Sequence, residues 1–490
     1  MHRDLESLKD VISYTDENFP FTEAHARFSI QFSHPGPVGP GRLFPRALLA
    51  TSTMLDPLLS LWIENDHGLG AVPRRSNHSY PWKFEEHGLW QGSGSDLEVT
   101  AEHVFATPML LLSCFTFRNV GSTPCRFLPH WTGCLLKDLS PGHYLLKHFP
   151  DVRTGSRDNR VLSSERGITL VWRSRGKGLP TVEVGLLPEF PATRWYGTEH
   201  PALRGKPSQE EAFHASGPVH FAFRPEAEIE LAEQESISFR FQTAFAAVEG
   251  GAECSLDTAP SIQIAWEDAM RSAKKRFVDL MNFDEIPQEC RTDPHRHGLL
   301  RARQALLRSC MQSDNGIFDN RVVSLCSSGM NDFSCLFFWD GLFAASAFAW
   351  FQPEIAKDIV RCCLLPVDET TFATHERKFH LPANGVPNQA APQSPVGAWA
   401  GLEIWRADGD LDFLKEIFPL LLANHRFWID HCDSDGDGLC EYRWSGQNAD
   451  DSPLWDSVPT ETDETGCKWL PPVASVALNC FLHWDALHIV

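Results

Sequence analysis

The chain has 490 residues, enough for two to four domains that each bury a core of their own. With 42% hydrophobic and 22% charged residues, it has an ordinary globular composition, which excludes a disordered or fibrous chain. A net charge of −21 argues against nucleic acid or an anionic membrane as the main partner, since both require a basic face, and suits a neutral ligand such as a sugar, or a cation.

Residues 1–24 form an N-terminal extension whose charges, Arg3, Asp4, Glu6, Lys9 and Asp10 among them, are unlike a signal peptide. Residues 25–255 read as β. Leu97, Val99 and Ala101 alternate with Glu98 and Thr100, Phe115 and Phe117 with Thr116 and Arg118, and Ile237, Phe239 and Phe241 with Ser238, Arg240 and Gln242. Period-two alternation puts one face on a core and the other toward water. Turn-like groups such as Asn119-Val120-Gly121-Ser122 separate the runs, so the expected unit is an antiparallel β-sandwich.

The period changes near Pro260. Trp266, Met270, Ala273, Phe277 and Leu280 recur at helical spacing, and residues 256–330 read as linker helices. From 331 to 490 the patterns stay helical, with long loops. Leu411, Leu414, Phe418, Leu421 and Leu422 are expected to form one apolar face, and Val476, Cys480, Phe481, Trp484 and Leu487 another. The most apolar run, Gly341 to Phe351, is too short to span a bilayer. Fourteen scattered Cys without a CxxC pair predict reduced thiols, and with no signal peptide a cytoplasmic protein. No P-loop, nucleophile elbow or Rossmann glycine signature is found, so no organic cofactor is expected.

Three loop segments in the helical half carry chemistry. In Phe337-Phe338-Trp339-Asp340-Gly341-Leu342-Phe343, a carboxylate sits inside an aromatic run. Asp340 either caps the following helix or accepts sugar hydroxyls beside a Trp platform. In Gln393-Ser394-Pro395-Val396-Gly397-Ala398-Trp399, Pro395 fits the first turn of a helix, with Gln393 on the preceding loop and Trp399 one turn in. The third segment opens with Asp433-Ser434-Asp435-Gly436-Asp437-Gly438-Leu439-Cys440-Glu441, the first half of a calcium loop: alternate carboxylates around a Gly that allows the sharp turn. Asp433, Asp435, Asp437, the Leu439 carbonyl and Glu441 are the candidate ligands. Position 12 is Trp444, which excludes an EF-hand and leaves a solvated acidic turn as the alternative. Asp450-Asp451 follows: it reads as an acidic surface loop or, since adjacent carboxylates raise one another's pKa, as the acid of a catalyst.

In this order and behind a β region, Trp339-Asp340, Gln393-Ser394-Pro395 with Ala398-Trp399-Ala400, the Asp433–Tyr442 loop, Ser445-Gly446 and Asp450-Asp451-Ser452-Pro453-x-Trp455-Asp456 resemble glycoside hydrolase family 63. That family includes mannosyl-oligosaccharide glucosidase and bacterial mannosylglycerate hydrolases; trehalases and glycogen-debranching glucosidases are more distantly similar. The resemblance implies an N-terminal β-sandwich followed by an (α/α)6 toroid, here partial. It also implies inverting hydrolysis of a terminal α-glycosidic bond in an α-glucoside or α-mannoside, with an oligosaccharide or small glycoside as substrate. Asp450 takes the general acid's place, and Trp339, Asp340, Gln393, Trp399, Asp451 and Trp455 the substrate's surroundings. Asp451 stands where the family has Asn, so either member of the pair can carry the proton. The family's base is a glutamate in a later segment, so residues 1–490 are expected to be incomplete and inactive alone. A non-catalytic carbohydrate-binding protein is the rival expectation from another class.

Overall fold

The alternating segments pair into two antiparallel sheets. The computed structural model describes residues 28–31, 37–40, 42–45, 55, 57–66, 68–80, 82–91, 96–107, 109–136, 156–174, 181–198, 212–248, 264–281, 293–312, 322–324, 336–364, 376–377, 393–442, 458–459, 461–462, 468–469 and 471–490. Among these, the larger sheet has nine strands in the order Ala212–Ala215, Ser156–Ser163, Ile168–Ser174, Thr181–Pro188, Ser236–Val248, Leu110–Asn119, Asp96–Thr107, Phe84–Gln91 and Arg74–Ser79. The smaller runs Ala192–Gly197, Val219–Pro225, Cys125–Leu135, Ser60–Asn65 and Gly68–Ala71, with Ile229–Leu231 also pairing to Cys125–Leu135. Between the sheets lies one apolar cluster. At its centre the Trp131 ring from the smaller sheet lies 4.9 Å from Phe241 and 5.6 Å from Phe115 of the larger. Such aromatic pairs add to plain burial.

A buried polar network crosses the larger sheet. Glu86 accepts from Arg74 Nη1 at 3.0 Å and from the Gly39 N–H at 2.9 Å, and it meets His103 Nε2 at 3.3 Å. His103 Nδ1 in turn lies 2.8 Å from Ser113 Oγ. Glu86, His103 and Ser113 are all 0% exposed. Gly39 has φ +114°, and a Cβ there would lie 1.9 Å from the Leu59 carbonyl oxygen, so only glycine brings this N–H to the carboxylate.

Seven helices follow among the described residues: α1 Trp266–Met281, α2 Asp293–Ser309, α3 Phe338–Phe348, α4 Pro353–Leu364, α5 Gly397–Asp408, α6 Leu411–His431 and α7 Val476–Ile489. The alternation of Leu110–Asn119 lapses over its first half because both faces are covered there. Leu110 and Leu112, with Val104 and Ala106, belong to the core of the helical half. Helix α1 covers them: Arg276 donates to the carbonyls of Phe105 and Ala106, and Phe277 packs 5.8 Å from Trp82.

In the helical half, α5 touches α3, α4, α6 and α7. Its small residues allow this: a Cβ on Gly397 would sit 2.9 Å from Leu421 Cδ2, and one on Gly401 2.8 Å from Ile417 Cδ1. Lys357 of α4, 5% exposed, reaches Glu354 at 2.8 Å, Asp408 at 2.7 Å and Asp410 at 2.8 Å, tying α4 to the α5–α6 turn. Burial alone would depress its pKa, but the hydrogen bonds it donates to Asp408, Asp410 and Glu354 outweigh that and raise it. Asp410 also caps α6, accepting from the N–H groups of Asp412 and Phe413 at 3.0 Å.

Three helix faces differ from the sequence expectation. The buried stripe of α1 is Ala269, Ala273, Phe277 and Met281, with Trp266, Met270 and Leu280 on its margin. On α6 it is Phe413, Ile417, Leu421, Asn424 and Trp428, while Leu411 and Phe418 stand 54% and 46% exposed. This helix is apolar on several sides, and its face is chosen by contact with α5 rather than by its own pattern. On α7 the buried residues are Leu478, Leu482 and Asp485, with Val476, Cys480 and Leu487 exposed. No helix among the described residues is long and apolar enough to cross a membrane.

Candidate functional site

The first two chemical segments meet at two helix starts. Asp340 lies inside the first turn of α3 rather than at its cap, because the helix already begins at Phe338. Pro395 precedes the α5 N-cap, Val396, so it stands outside the first turn, and Trp399 is the third residue of that helix. Gln393, 2% exposed, accepts from the Trp339 N–H at 3.0 Å through Oε1. This bond joins the start of α3 to the loop before α5 across 54 residues of chain.

Beside that joint runs a line of rings. Phe343 lies 5.8 Å from Trp339 and 5.5 Å from Trp399, and Trp399 lies 5.6 Å from Trp484 of α7. Phe343 is 42% exposed, and Trp339, Asp340 and Trp399 are half-buried. Aromatic faces next to a carboxylate and an amide can bind a neutral polyhydroxylated ring, stacking on its C–H face and bonding its hydroxyls.

The acidic loop connects to the same place. Ser394 Oγ and Tyr442 OH lie 2.8 Å apart, both side chains fully buried, and Tyr442 exchanges backbone hydrogen bonds with Val473 at 3.0 and 3.2 Å. Asn479 of α7 donates to the Cys440 carbonyl and accepts from its N–H, each at 3.0 Å. Thus Tyr442, eight residues before Asp450 in the chain, is fixed to the Gln393 segment. Asp450, Asp451 and Trp455 lie outside the described residues.

Within the loop, Asp433 accepts from the N–H groups of Gly436 at 2.8 Å and Gly438 at 3.0 Å, Asp435 from Asp437 at 3.1 Å, and Asp437 from Leu439 at 2.8 Å. Gly436 and Gly438 turn the chain at φ 75° and 88°. One carboxylate oxygen from each of Asp433, Asp435 and Asp437 falls within 4.8 Å of the others. A calcium ion with ligands at about 2.3–2.6 Å spans that distance, so the three fit a shared hard cation. Glu441, 6% exposed, stands outside this convergent group and accepts from the Ser434 N–H at 3.0 Å. Two thiols flank the loop; burial pushes Cys432 up to about 12 and Cys440 up to about 11, which keeps them protonated and inert.

Asp485 and His425 join this site without having been singled out by the sequence. Asp485 accepts from the Ala398 N–H at 3.2 Å and meets His425 Nδ1 at 3.0 Å. The readable signal was a carboxylate at the core-facing spacing of Leu478 and Leu482.

The model of the mannosylglycerate hydrolase MGH1-like glycoside hydrolase domain matches residues 336–486, the stretch that holds all these segments. Among solved structures, a protein assigned as a kojibiose phosphorylase, from the human microbiome, superposes with a TM-score of 0.59 at 9% identity, over 89% of this chain and 60% of that one. The chain therefore spans three-fifths of that phosphorylase's length. A galactose mutarotase related enzyme from Lactobacillus acidophilus (TM-score 0.28, 7% identity) covers 48% of this chain over its full length. A galactose mutarotase-like protein from Lactobacillus casei (TM-score 0.28, 8% identity) covers 46% in the same way. The phosphorylase shares the β-then-α arrangement, and the domain match supports a glycoside hydrolase-like family for residues 336–486.

Proposed function

We propose that the protein hydrolyses a terminal α-glycosidic bond, of an α-glucoside or α-mannoside, with inversion. The observation that carries the reading is the Trp339–Gln393 hydrogen bond, which joins the helix starts that carry two half-buried Trp rings and Asp340. Asp340 and the Gln393 amide bind hydroxyls of the terminal sugar, while Trp339 and Trp399 stack against it. Asp450 donates the proton to the leaving oxygen, with Asp451 raising its pKa. Water attacks from the opposite face, which needs a second carboxylate about 6.5–9.5 Å from the acid. Part of an (α/α)6 toroid behind a β-sandwich is the architecture this reading assigns.

The sugar site is tested by calorimetric titration of the protein with glucose, mannose and their α-linked disaccharides. Saturable binding of at least one is expected, weakened at least tenfold by Trp399→Ala. Wild-type protein that binds none of them would overturn the reading.

Calcium is the metal the acidic loop would take, on Asp433, Asp435 and Asp437, with the Leu439 carbonyl as a further ligand. Bound there it supplies charge neutralisation that stiffens the loop leading through Tyr442 toward Asp450. A ligand that binds only the folded state stabilises by about 2.7 kcal/mol at a hundredfold excess over its Kd. The melting temperature should fall in chelator and recover with calcium, and Asp435→Asn should blunt both changes. Identical melting in chelator and calcium would leave the loop a solvated turn.

A further inference from the structure

Helix α5 begins without a cap of its own. Its N-cap residue, Val396, has no side-chain acceptor, so the N–H groups of the first turn need partners from elsewhere. One comes from 87 residues away, where Asp485 Oδ1 of α7 accepts from the Ala398 N–H at 3.2 Å. A carboxylate at a helix N-terminus is also favoured by the helix dipole. Asp485 is 3% exposed, and a buried carboxylate persists only when its oxygens are bonded. Its second oxygen meets His425 Nδ1 of α6 at 3.0 Å. Helix α7 grips the platform rings directly: Trp484 lies 5.6 Å from Trp399, and Phe481 lies 6.5 Å from Trp339.

We propose that Asp485, braced by His425, is the positioning residue of the sugar subsite, holding the start of α5 so that Gln393 and Trp399 face the ligand together. The inference rests on the carbohydrate reading above. It assigns Asp485 no contact with the sugar or the reacting atoms. Displacing the start of α5 would shift Trp399 relative to Trp339, and misplacement by about 1 Å can cost ~10²-fold.

The test compares Asp485→Ala and Asp485→Asn with Lys357→Met, which breaks a buried tether elsewhere in the helical half. Each is assayed on whichever p-nitrophenyl α-glucoside or α-mannoside the wild-type protein cleaves, with the Kd for sugar from calorimetric titration read in place of KM where it binds without cleaving. Asp485→Ala is expected to raise KM by ~10–100-fold with kcat within about threefold. Asp485→Asn, which keeps one carbonyl oxygen but loses the charge, is expected in between, at about two- to fivefold. Lys357→Met should melt earlier with KM unchanged. If KM is unchanged in both Asp485 variants, or in Asp485→Asn when Asp485→Ala does not fold, the residue is a stability tether and the proposal fails. A wild-type protein that neither binds nor cleaves any sugar refutes the carbohydrate reading instead. Hydrogen exchange at the amides of 398–400 then decides the positioning separately. Faster exchange in the Asp485 variants, absent from Lys357→Met, is expected; unchanged protection overturns it.

Discussion

Asp450→Asn is expected to slow glycoside hydrolysis by ~10²–10⁴-fold, the usual contribution of a general acid, while sugar binding stays within about threefold of wild type. The loss should be largest for poor leaving groups, which depend on protonation, and smallest for activated aryl glycosides. Two features support the assignment. By the family resemblance Asp450 takes the acid's position in the motif, and Tyr442, eight residues before it in the chain, is hydrogen-bonded to Ser394 at 2.8 Å. Asp451→Asn should act more weakly, by removing the neighbouring charge that raises the acid's pKa. If Asp451→Asn gives the large loss and Asp450→Asn the small one, the proton belongs to the neighbour.

The second large effect is on stability and lies far from the sugar. Glu86→Ala is expected to cost about 3–5 kcal/mol, the penalty for breaking a buried pair, because it strands the Arg74 guanidinium and the Gly39 N–H away from water. Both partners are effectively buried, with 1% and 0% of the Arg74 and Glu86 side chains exposed, so solvent cannot take over the lost bonds. Glu86→Gln keeps shape and an acceptor but loses the charge, and should fall at about 1–3 kcal/mol. Urea denaturation measures both as a lowered midpoint at unchanged slope. A loss under about 1 kcal/mol in Glu86→Ala would mean that the sheet closes over the gap or that water enters it.

The strands were readable because one face of each meets the sandwich core. Phe115 and Phe117, Phe239 and Phe241 lie buried where period-two spacing puts them. The pattern lapsed at Leu110 to Cys114, where the helical half covers the outer face, and no strand announces what will cover it. Helix faces were less readable for a related reason. On α6, Leu421 is buried and Leu414 packs on the core as expected, but Leu411 and Phe418 belong to an apolar side that α5 does not occupy. On α7, expecting an apolar stripe passed over Asp485, whose partners are 60 and 87 residues away. The motif residues Trp339, Gln393 and Trp399 were legible as types, but their meeting through Gln393 and the Trp339 N–H depends on the chain path between them.

The most direct measurement is the anomer first released from an α-glycoside, followed by proton NMR before mutarotation equilibrates the product. Inversion by Asp450 and a water on the opposite face predicts the β-anomer first, with release slowed ~10²–10⁴-fold in Asp450→Asn. Initial release of the α-anomer, or release at the wild-type rate in Asp450→Asn, would contradict the account.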